Sequence, residues 1–166
     1  MSTFGRILLC YDSTREGRRA LRHGAVLAEQ LKAETHLLAV LNSAVWAQAA
    51  EIASAVPFDV LEQSAKEILQ DGIAKLAARG VMATPHFAIG DPLERIPFFA
   101  NQLKVDLVVV GHRRTGLLKR WWSGRNDGLL LDRVSCAVLV AMEREGQDAD
   151  VPLDTRGGTD HERRQC

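Results

Sequence analysis

The stretch VDLVVVGHRRTGLLKRWWSGRNDG, residues 105–128, decides the fold because it joins a buried strand to a basic, glycine-containing loop. Its first part, Val105–Gly111, is a continuous run of mostly apolar, β-branched residues, which is typical of a strand covered on both faces. Strands of this kind belong to parallel sheets, whose neighbours are joined by helical crossovers. The stretch therefore predicts an α/β protein with a functional loop at the end of this strand.

Four other segments have the composition of strands. They are Arg6–Tyr11, Thr35–Leu41, Val81–Ile89 and Ala137–Met142. Five strands that alternate with four helical segments predict a single doubly wound, Rossmann-like parallel sheet with strand order 3-2-1-4-5 and helices on both faces. Pro85 lacks an N–H group for the sheet, which places the third strand at an edge. The last helical segment is predicted over Gly128–Val134.

Residues at the ends of the helical segments predict where these helices begin and stop. Ser13 and Glu16 have the spacing of a capping box, and Asp91 can cap the third helix. Gly80 is placed to end the second helix. Pro97 lies inside the apolar stripe of the third helix, where it removes a backbone hydrogen bond and predicts a kink. A turn of helix is also expected around residues 47–53.

The charge balance excludes several classes of partner. The chain has 21 Lys and Arg and 21 Asp and Glu among 166 residues, so its formal net charge is +0. A neutral chain has no overall field that attracts nucleic acid or an anionic membrane, and no apolar run approaches the ~18 residues of a membrane span. We therefore expect a cytoplasmic protein. The length of the chain favours one domain, over residues 1–142, and the polar composition of residues 143–166 predicts a disordered tail.

The cysteines and histidines show no metal-binding or redox pattern. Cys10, Cys136 and Cys166 are far apart in the sequence and form no CxxC pair, which favours reduced thiols. Cys10 is expected to be a small buried hydrophobe, and Cys166 on the tail is expected to be the reactive thiol. The five histidines show no i, i+4 pairing and no nearby cysteine, so no metal site is predicted and they are interpreted as ordinary surface or strand residues.

The strand order predicts where a ligand would bind. In a doubly wound sheet, ligands bind beyond the carboxyl ends of the strands, at the point where the winding reverses. For the order 3-2-1-4-5 this point lies between the first and fourth strands. Asp12 should therefore lie beside the loop that begins at Gly111.

Several segments together resemble the universal stress protein family. They are ILLCYDSTREGRRAL, THLLAVL, IGDPLERI and VDLVVVGHRRTGLLKRWWSGRNDGLLLDRVSCAVLVA, within residues 4–142. The resemblance implies a fold of the adenine nucleotide alpha hydrolase-like kind and a homodimer joined through the last strand, Ala137–Met142. The sequence of that strand, AVLVAM, supports the dimer because a monomer would leave an apolar edge unpaired.

The loop after the fourth strand departs from the pattern of the nucleotide-binding branch of this family. That pattern is glycine, two residues, glycine, nine residues, glycine, then serine or threonine. By the resemblance, Gly111 matches the first glycine and Gly124 the third, whereas Arg114 stands near the second and Arg125 replaces the hydroxyl residue. Because these glycines let backbone N–H groups approach phosphate, the resemblance implies a modified phosphate cradle.

Basic side chains offer a different way to hold phosphate, since a guanidinium pairs with it in a bidentate fork. The residues that supply this charge are His112, Arg113, Arg114, Lys119, Arg120 and Arg125. The resemblance further implies that Asp12 contacts the adenosine end of a nucleotide and that the backbone of Val40 faces adenine. Read without the resemblance, Asp12 serves equally well as a helix cap and Val40 as a core residue.

Three interpretations of the basic loop remain open. In the first, it is a solvated loop on a homodimeric stress-response protein that binds and signals without efficient turnover. In the second, it forms a modified, arginine-rich site for an adenine nucleotide, ATP or AMP, with Mg²⁺ accompanying ATP. In the third, the protein is a weak ATP hydrolase, although no Ser/His/Asp set, P-loop or metal cluster can be assembled from the sequence.

Overall fold

The computed structural model describes residues 4–12, 15–42, 57–112 and 130–142. The elements in chain order are β1 (Arg6–Cys10), α1 (Arg15–Leu31), β2 (Glu34–Leu41), α2 (Phe58–Ala77), β3 (Ala83–Ile89), α3 (Pro92–Gln102), β4 (Leu107–His112), α4 (Leu130–Arg133) and β5 (Ala137–Met142). The predicted turn of helix around residues 47–53, the tail over residues 143–166 and the cap at Ser13 lie outside the described residues.

The five strands form one sheet in the order β3-β2-β1-β4-β5, and every neighbouring pair is parallel. This confirms the predicted strand order and places β3 at one edge and β5 at the other. The sequence predicted the strands with small errors at their ends. β3 begins at Ala83 instead of Val81, and β4 runs from Leu107 to His112 instead of from Val105 to Gly111.

Helices cover both faces of the sheet, as predicted. α1 and α2 pack on the face where Ile7 and Leu9 are buried, and α3 and α4 pack on the face where Leu8 is buried. Successive residues of a strand point to opposite faces, so a sheet covered on both sides requires continuous apolar strands. Leu8 and Leu9 are 0% and 1% exposed, and burial of each such side chain contributes about 1.5–3 kcal/mol to folding.

The helix ends follow the predicted signals. Gly80 has φ +78° after α2, a left-handed conformation that suits glycine, and its N–H group donates to the carbonyl of Ala77. The Asp91 carboxylate accepts a hydrogen bond of 2.9 Å from the N–H group of Leu93 at the start of α3. Both residues therefore end or begin helices as the sequence indicates.

α3 continues through Pro97, which is buried inside it. A proline at this position cannot donate to the carbonyl four residues earlier, that of Leu93. The guanidinium of Arg133 in α4 donates to that carbonyl over 3.5 Å. A side chain from α4 therefore takes the place of the backbone donor that Pro97 lacks.

The Asp106 carboxylate joins the starts of β1 and β4. Its Oδ2 atom accepts hydrogen bonds of 2.8 Å from the N–H groups of both Gly5 and Arg6. The N–H group of Asp106 in turn donates to the carbonyl of Arg6 over 2.9 Å. These bonds set β1 and β4 side by side at their amino ends, so their carboxyl ends also meet.

Two further findings apply to the described residues only. None of their helices is both long and apolar enough to cross a membrane. Within the same parts of the chain, no three His, Cys, Asp or Glu side chains are grouped so that they could hold a metal ion.

Candidate functional site

The carboxyl ends of β1 and β4 meet at one edge of the sheet. Leu9 of β1 lies opposite Val109 of β4 in parallel register. Asp12 and His112 are each three residues further along, so Asp12 follows the end of β1 beside the last residues of β4. The exposed Asp12 follows β1, and His112 is the last residue of β4, directly before the basic loop.

Val40 lies at the same edge, on the strand to the other side of β1. Cys10 pairs with Leu38, and the N–H group of Tyr11 continues this pairing by donating to the carbonyl of Leu38 over 3.0 Å. Asp12 and Val40 each follow that pair by two residues along their own chain segments. The parallel register thus places the carboxyl ends of β2, β1 and β4 side by side, with Asp12 following β1 and Val40 near the end of β2.

Half-buried apolar side chains form a floor at this edge, on the face covered by α3. Cys10, Val40 and Ala88 come from three neighbouring strands, and all three pack against the same buried cluster as Leu8. An apolar floor bordered by an exposed carboxylate suits a ligand with a flat apolar part and hydroxyl groups, because few polar groups are needed to orient such a ligand.

Gly111 is explained by packing against α1. A Cβ atom at this position would lie 2.5 Å from both the carbonyl carbon and the carbonyl oxygen of Glu16, and 2.7 Å from the nitrogen of Gly17. Real Cβ atoms do not approach backbone so closely, so only glycine lets the end of β4 touch the first turn of α1. The glycine at this position therefore does not by itself indicate a phosphate site.

The Cys10 thiol stays protonated beneath this edge. Burial raises its pKa far above the ordinary range, and the nearby carboxylate of Asp12 and the thiol of Cys136 raise it further. A protonated thiol is a poor nucleophile and a poor metal ligand. The sequence predicted that Cys10 is a small buried hydrophobe, and in the structure its side chain packs in an apolar cluster but is half-buried and not fully enclosed.

A polar group on α2 fixes the residue before Asp12. The Tyr11 side chain, which is 3% exposed, donates from its hydroxyl to Asp71 Oδ2 over 2.8 Å, and Lys75 Nζ donates to that hydroxyl over 3.2 Å. Lys75 also donates to Asp71, and this bond is the main cause of the lowered pKa of Asp71 and of the raised pKa of Lys75. Burial and the bond to Asp71 raise the pKa of Tyr11.

This polar group was not predicted from the sequence, although the sequence contains one signal for it. Asp71 and Lys75 have the i, i+4 spacing of an ion pair on a helix. Gly72 lies between them, and a Cβ atom there would be 2.7 Å from a methyl carbon of Leu37 and 2.7 Å from a ring carbon of Tyr11. The close approach of α2 to the end of β1, which makes the contact, cannot be read from spacing within α2.

The turn between β3 and α3 is bonded to the carboxyl end of β2, next to the candidate site. The N–H group of Gly90 donates to the carbonyl of Leu41 over 3.0 Å, and Arg95 Nε donates to the carbonyl of Ile89 over 3.0 Å. Gly90 has φ +136°, and a Cβ atom there would lie 2.8 Å from Arg95 Nε. Glycine is therefore favoured by the backbone conformation at this position, whereas the Arg95 side chain could move away from a Cβ atom.

The structure brings together part of the predicted site. Asp12, Val40, Gly111 and the backbone of His112 lie at the shared edge of β1, β2 and β4. The remaining predicted residues, Arg113, Arg114, Gly124 and Arg125, lie outside the described residues. The described residues therefore include the part of the predicted site at the ends of β1, β2 and β4, up to the point where the basic loop begins.

These features define the class of the protein: a doubly wound, all-parallel α/β protein with a candidate ligand edge at the reversal point between β1 and β4. The model of the universal stress protein family matches residues 3–141. This chain belongs to the universal stress protein family, as the resemblance of its segments predicted.

Individual relatives extend this comparison. The chain is 27% identical over 145 residues to the universal stress protein YxiE of Bacillus subtilis strain 168, an alignment that covers 82% of this chain and 98% of the relative. A universal stress protein structure from Burkholderia pseudomallei superimposes with a TM-score of 0.62 at 21% identity, covering 84% of this chain and 97% of that one. The structure of UspA from Lactobacillus plantarum gives a TM-score of 0.63 at 22% identity, covering 82% and 96%.

Proposed function

We propose that this chain acts in the cytoplasm as a homodimeric stress-response protein that binds an adenine nucleotide and signals without efficient turnover. The observation that carries the nucleotide part is the parallel register that ends β1 and β2 at one edge of the sheet, where Asp12 follows β1 and the half-buried Cys10, Val40 and Ala88 pack against one apolar cluster. A base would lie against the apolar floor, and the Asp12 carboxylate would accept hydrogen bonds from ribose hydroxyls.

Phosphate would be held by side chains and not by a glycine cradle. Gly111 is already in contact with α1, and Arg114 and Arg125 stand where the nucleotide-binding branch has a glycine and a hydroxyl residue. Arginine binds phosphate with two parallel hydrogen bonds and remains charged at any physiological pH. The basic residues of the loop, His112, Arg113, Arg114 and Arg125, supply this charge directly beyond β4.

Structures of other family members support the choice of ligand class. Universal stress proteins have been solved in complex with cAMP, with dAMP in the case of Archaeoglobus fulgidus, and with AMP in the case of Arabidopsis thaliana. These chains share only 16–17% identity with this one, so their ligands are a guide to chemical class. ATP with Mg²⁺ is the alternative ligand, and weak hydrolysis of ATP is the alternative activity.

Isothermal titration tests the proposal with AMP, and with ATP in the presence and absence of Mg²⁺. We expect saturable heat that is lost in Asp12→Ala and in Arg125→Ala. Glu29→Ala and Arg79→Ala are matched controls and should leave binding unchanged, because Glu29 is exposed near the end of α1 and Arg79 is exposed in the turn after α2, both away from this edge. Absence of heat at millimolar AMP and ATP would contradict nucleotide binding, and phosphate release that disappears in Asp12→Ala would favour the hydrolase.

The proposed dimer rests on the outer edge of β5. On the described part of the chain β5 pairs only with β4, so its other edge has backbone groups open to a second copy. Two exposed apolar side chains belong to β5 and to the helix that leads into it, with Met142 of β5 49% exposed and Leu131 of α4 44% exposed. Pairing of two copies along β5 would cover Met142, and Leu131 is proposed to belong to the same interface.

Sedimentation velocity tests the dimer. Met142→Glu and Leu131→Glu place charge at the proposed interface without disturbing buried residues, and we expect each to shift the protein towards monomer. Met82→Glu is the control, because Met82 is 86% exposed next to β3 at the opposite edge of the sheet. A wild-type chain that sediments as a monomer at all concentrations would contradict the proposal.

A further inference from the structure

Two histidines from neighbouring strands contact each other under α3. His36 Nδ1 of β2 lies 3.1 Å from His86 Nε2 of β3, and their ring centroids are 5.2 Å apart. His36 is 5% exposed, whereas His86 is half-buried and its ring packs against that of Phe99 in α3 at 5.4 Å between centroids. The pair therefore joins the edge strand β3, its neighbour β2 and the helix that covers them.

A carboxylate lies on the other side of the His36 ring. Glu34 Oε1 is 3.3 Å from His36 Nε2, while Glu34 Oε2 accepts a bond of 2.9 Å from Arg6 Nε. His36 Nε2 is buried and has no well-aligned hydrogen bond from the described parts of the chain. Arg6, Glu34, His36 and His86 thus form a row of titratable and charged groups across three strands.

The hydrogen bond between the two rings limits how many protons the pair can hold. One of the two facing nitrogens must donate and the other must accept, so at least one of them carries no proton. A single added proton, on either ring, is compatible with this bond, because one facing nitrogen still donates and the other still accepts. A second added proton would turn both facing nitrogens into donors 3.1 Å apart and break the bond.

We propose that the His36–His86 pair is a proton-sensitive latch that holds β3 and α3 on the sheet and opens when both rings are protonated. The latch is independent of nucleotide binding. It rests on the ring contact, the enclosure of His36 and the position of β3 at the edge of the sheet, where only β2 holds it by backbone bonds.

The surroundings of His86 favour its neutral form. Its pKa is lowered, first by burial and then by the positive charge that His36 can carry. From α3 it meets the apolar ring of Phe99, while the charged residues of that helix, Glu94 and Arg95, are exposed, and Arg95 is bound to the carbonyl of Ile89. From β1, Arg6 lies beyond Glu34, and Asp106 is bound to the backbone of Arg6 and Gly5.

The direction of the effect follows from the lowered pKa. The unfolded chain, in which His86 has its ordinary pKa of about 6.5, binds the proton more readily than the folded chain does. The stability that the pair contributes is therefore complete above about pH 6.5 and is lost as the pH falls towards the lower pKa of the folded state. Acid should loosen β3 first, together with the turn at Gly90 that follows it.

Histidine NMR titration and amide hydrogen exchange of the full-length chain test the latch. We expect the His86 ring signals to titrate below the ordinary range, and the amides of β3 to lose protection progressively as the pH falls from about 7.5 through the folded pKa of His86. In His86→Gln, whose amide can occupy the position of Nε2 without titrating, the protection of β3 should no longer depend on pH.

His23→Gln is the matched control. The pKa of His23 is also lowered, by burial and by Arg19 and Arg22, but it lies on α1 and should not affect β3. Ordinary titration of His86 in the wild-type chain would overturn the latch even if His86→Gln fails to fold. Equal loss of β3 protection in the wild type and in His86→Gln would overturn it as well.

Discussion

A Cβ atom on Gly111 would lie 2.5 Å from the carbonyl oxygen of Glu16, so the end of β4 rests directly on the first turn of α1. This contact fixes β4 beside β1 at the edge where Asp12 emerges. It also explains why position 111 needs a glycine, without any role in phosphate binding. The position of the candidate site and the packing of the fold therefore depend on the same backbone contact.

Gly111→Ala is expected to destabilise the protein whether or not nucleotide is present. The added methyl group meets backbone, which cannot rotate away as a side chain can, so the cost should be about 1–3 kcal/mol. Urea denaturation measures the change. Gly5→Ala is the control, because a Cβ atom there would be at an ordinary distance of 3.5 Å from Asp106, and its effect should stay within about 0.5 kcal/mol.

The Tyr11–Asp71 hydrogen bond should appear as a coupling energy in a double-mutant cycle of Tyr11→Phe and Asp71→Asn. Because the Asp71 side chain is 48% exposed, solvent screening limits the expected coupling to about 0.5–1 kcal/mol at neutral pH. The pKa of Asp71 is lowered, so this stability is present above about pH 4 and is lost as the pH falls through the lower folded value. Coupling that is absent at pH 7, or unchanged in acid, would contradict the assignment.

The thiols should differ sharply in reactivity. Burial raises the pKa of both Cys10 and Cys136, so neither should react quickly with iodoacetamide in the native protein. We expect one fast-reacting thiol, Cys166, and its loss in Cys166→Ser, with Cys10 and Cys136 labelled only after unfolding. Rapid labelling of Cys10 in the native protein, measured by mass spectrometry, would contradict this predicted order of thiol reactivity.

The sequence predicted the fold because the signals for it are local. Each strand is a short apolar run, Asp91 and Gly80 mark helix ends within a few residues, and parallel strands need helical crossovers. The strand order and the edge position of β3 followed from these elements and from Pro85. The same order predicted that Asp12 and Gly111 would share one edge of the sheet.

The missed features all depend on residues that are far apart in the sequence. His36 and His86 are separated by 50 residues, and Tyr11 and Asp71 by 60. Pro97 predicted a kinked or irregular helix, and the sequence did not reveal that Arg133, from a different helix, donates to the carbonyl of Leu93. Such contacts depend on how helices pack on the sheet, which residue spacing along one element does not specify.

The most direct test of the proposed ligand edge is an amide NMR titration of the ¹⁵N-labelled protein with AMP. We predict saturable shifts at Asp12, at Val40 and at Gly90, which surround the carboxyl ends of β1 and β2. Gly5 and Asp106, at the amino ends of the strands, should remain unchanged. Shifts confined to the amino ends, or none at millimolar AMP, would contradict the proposal.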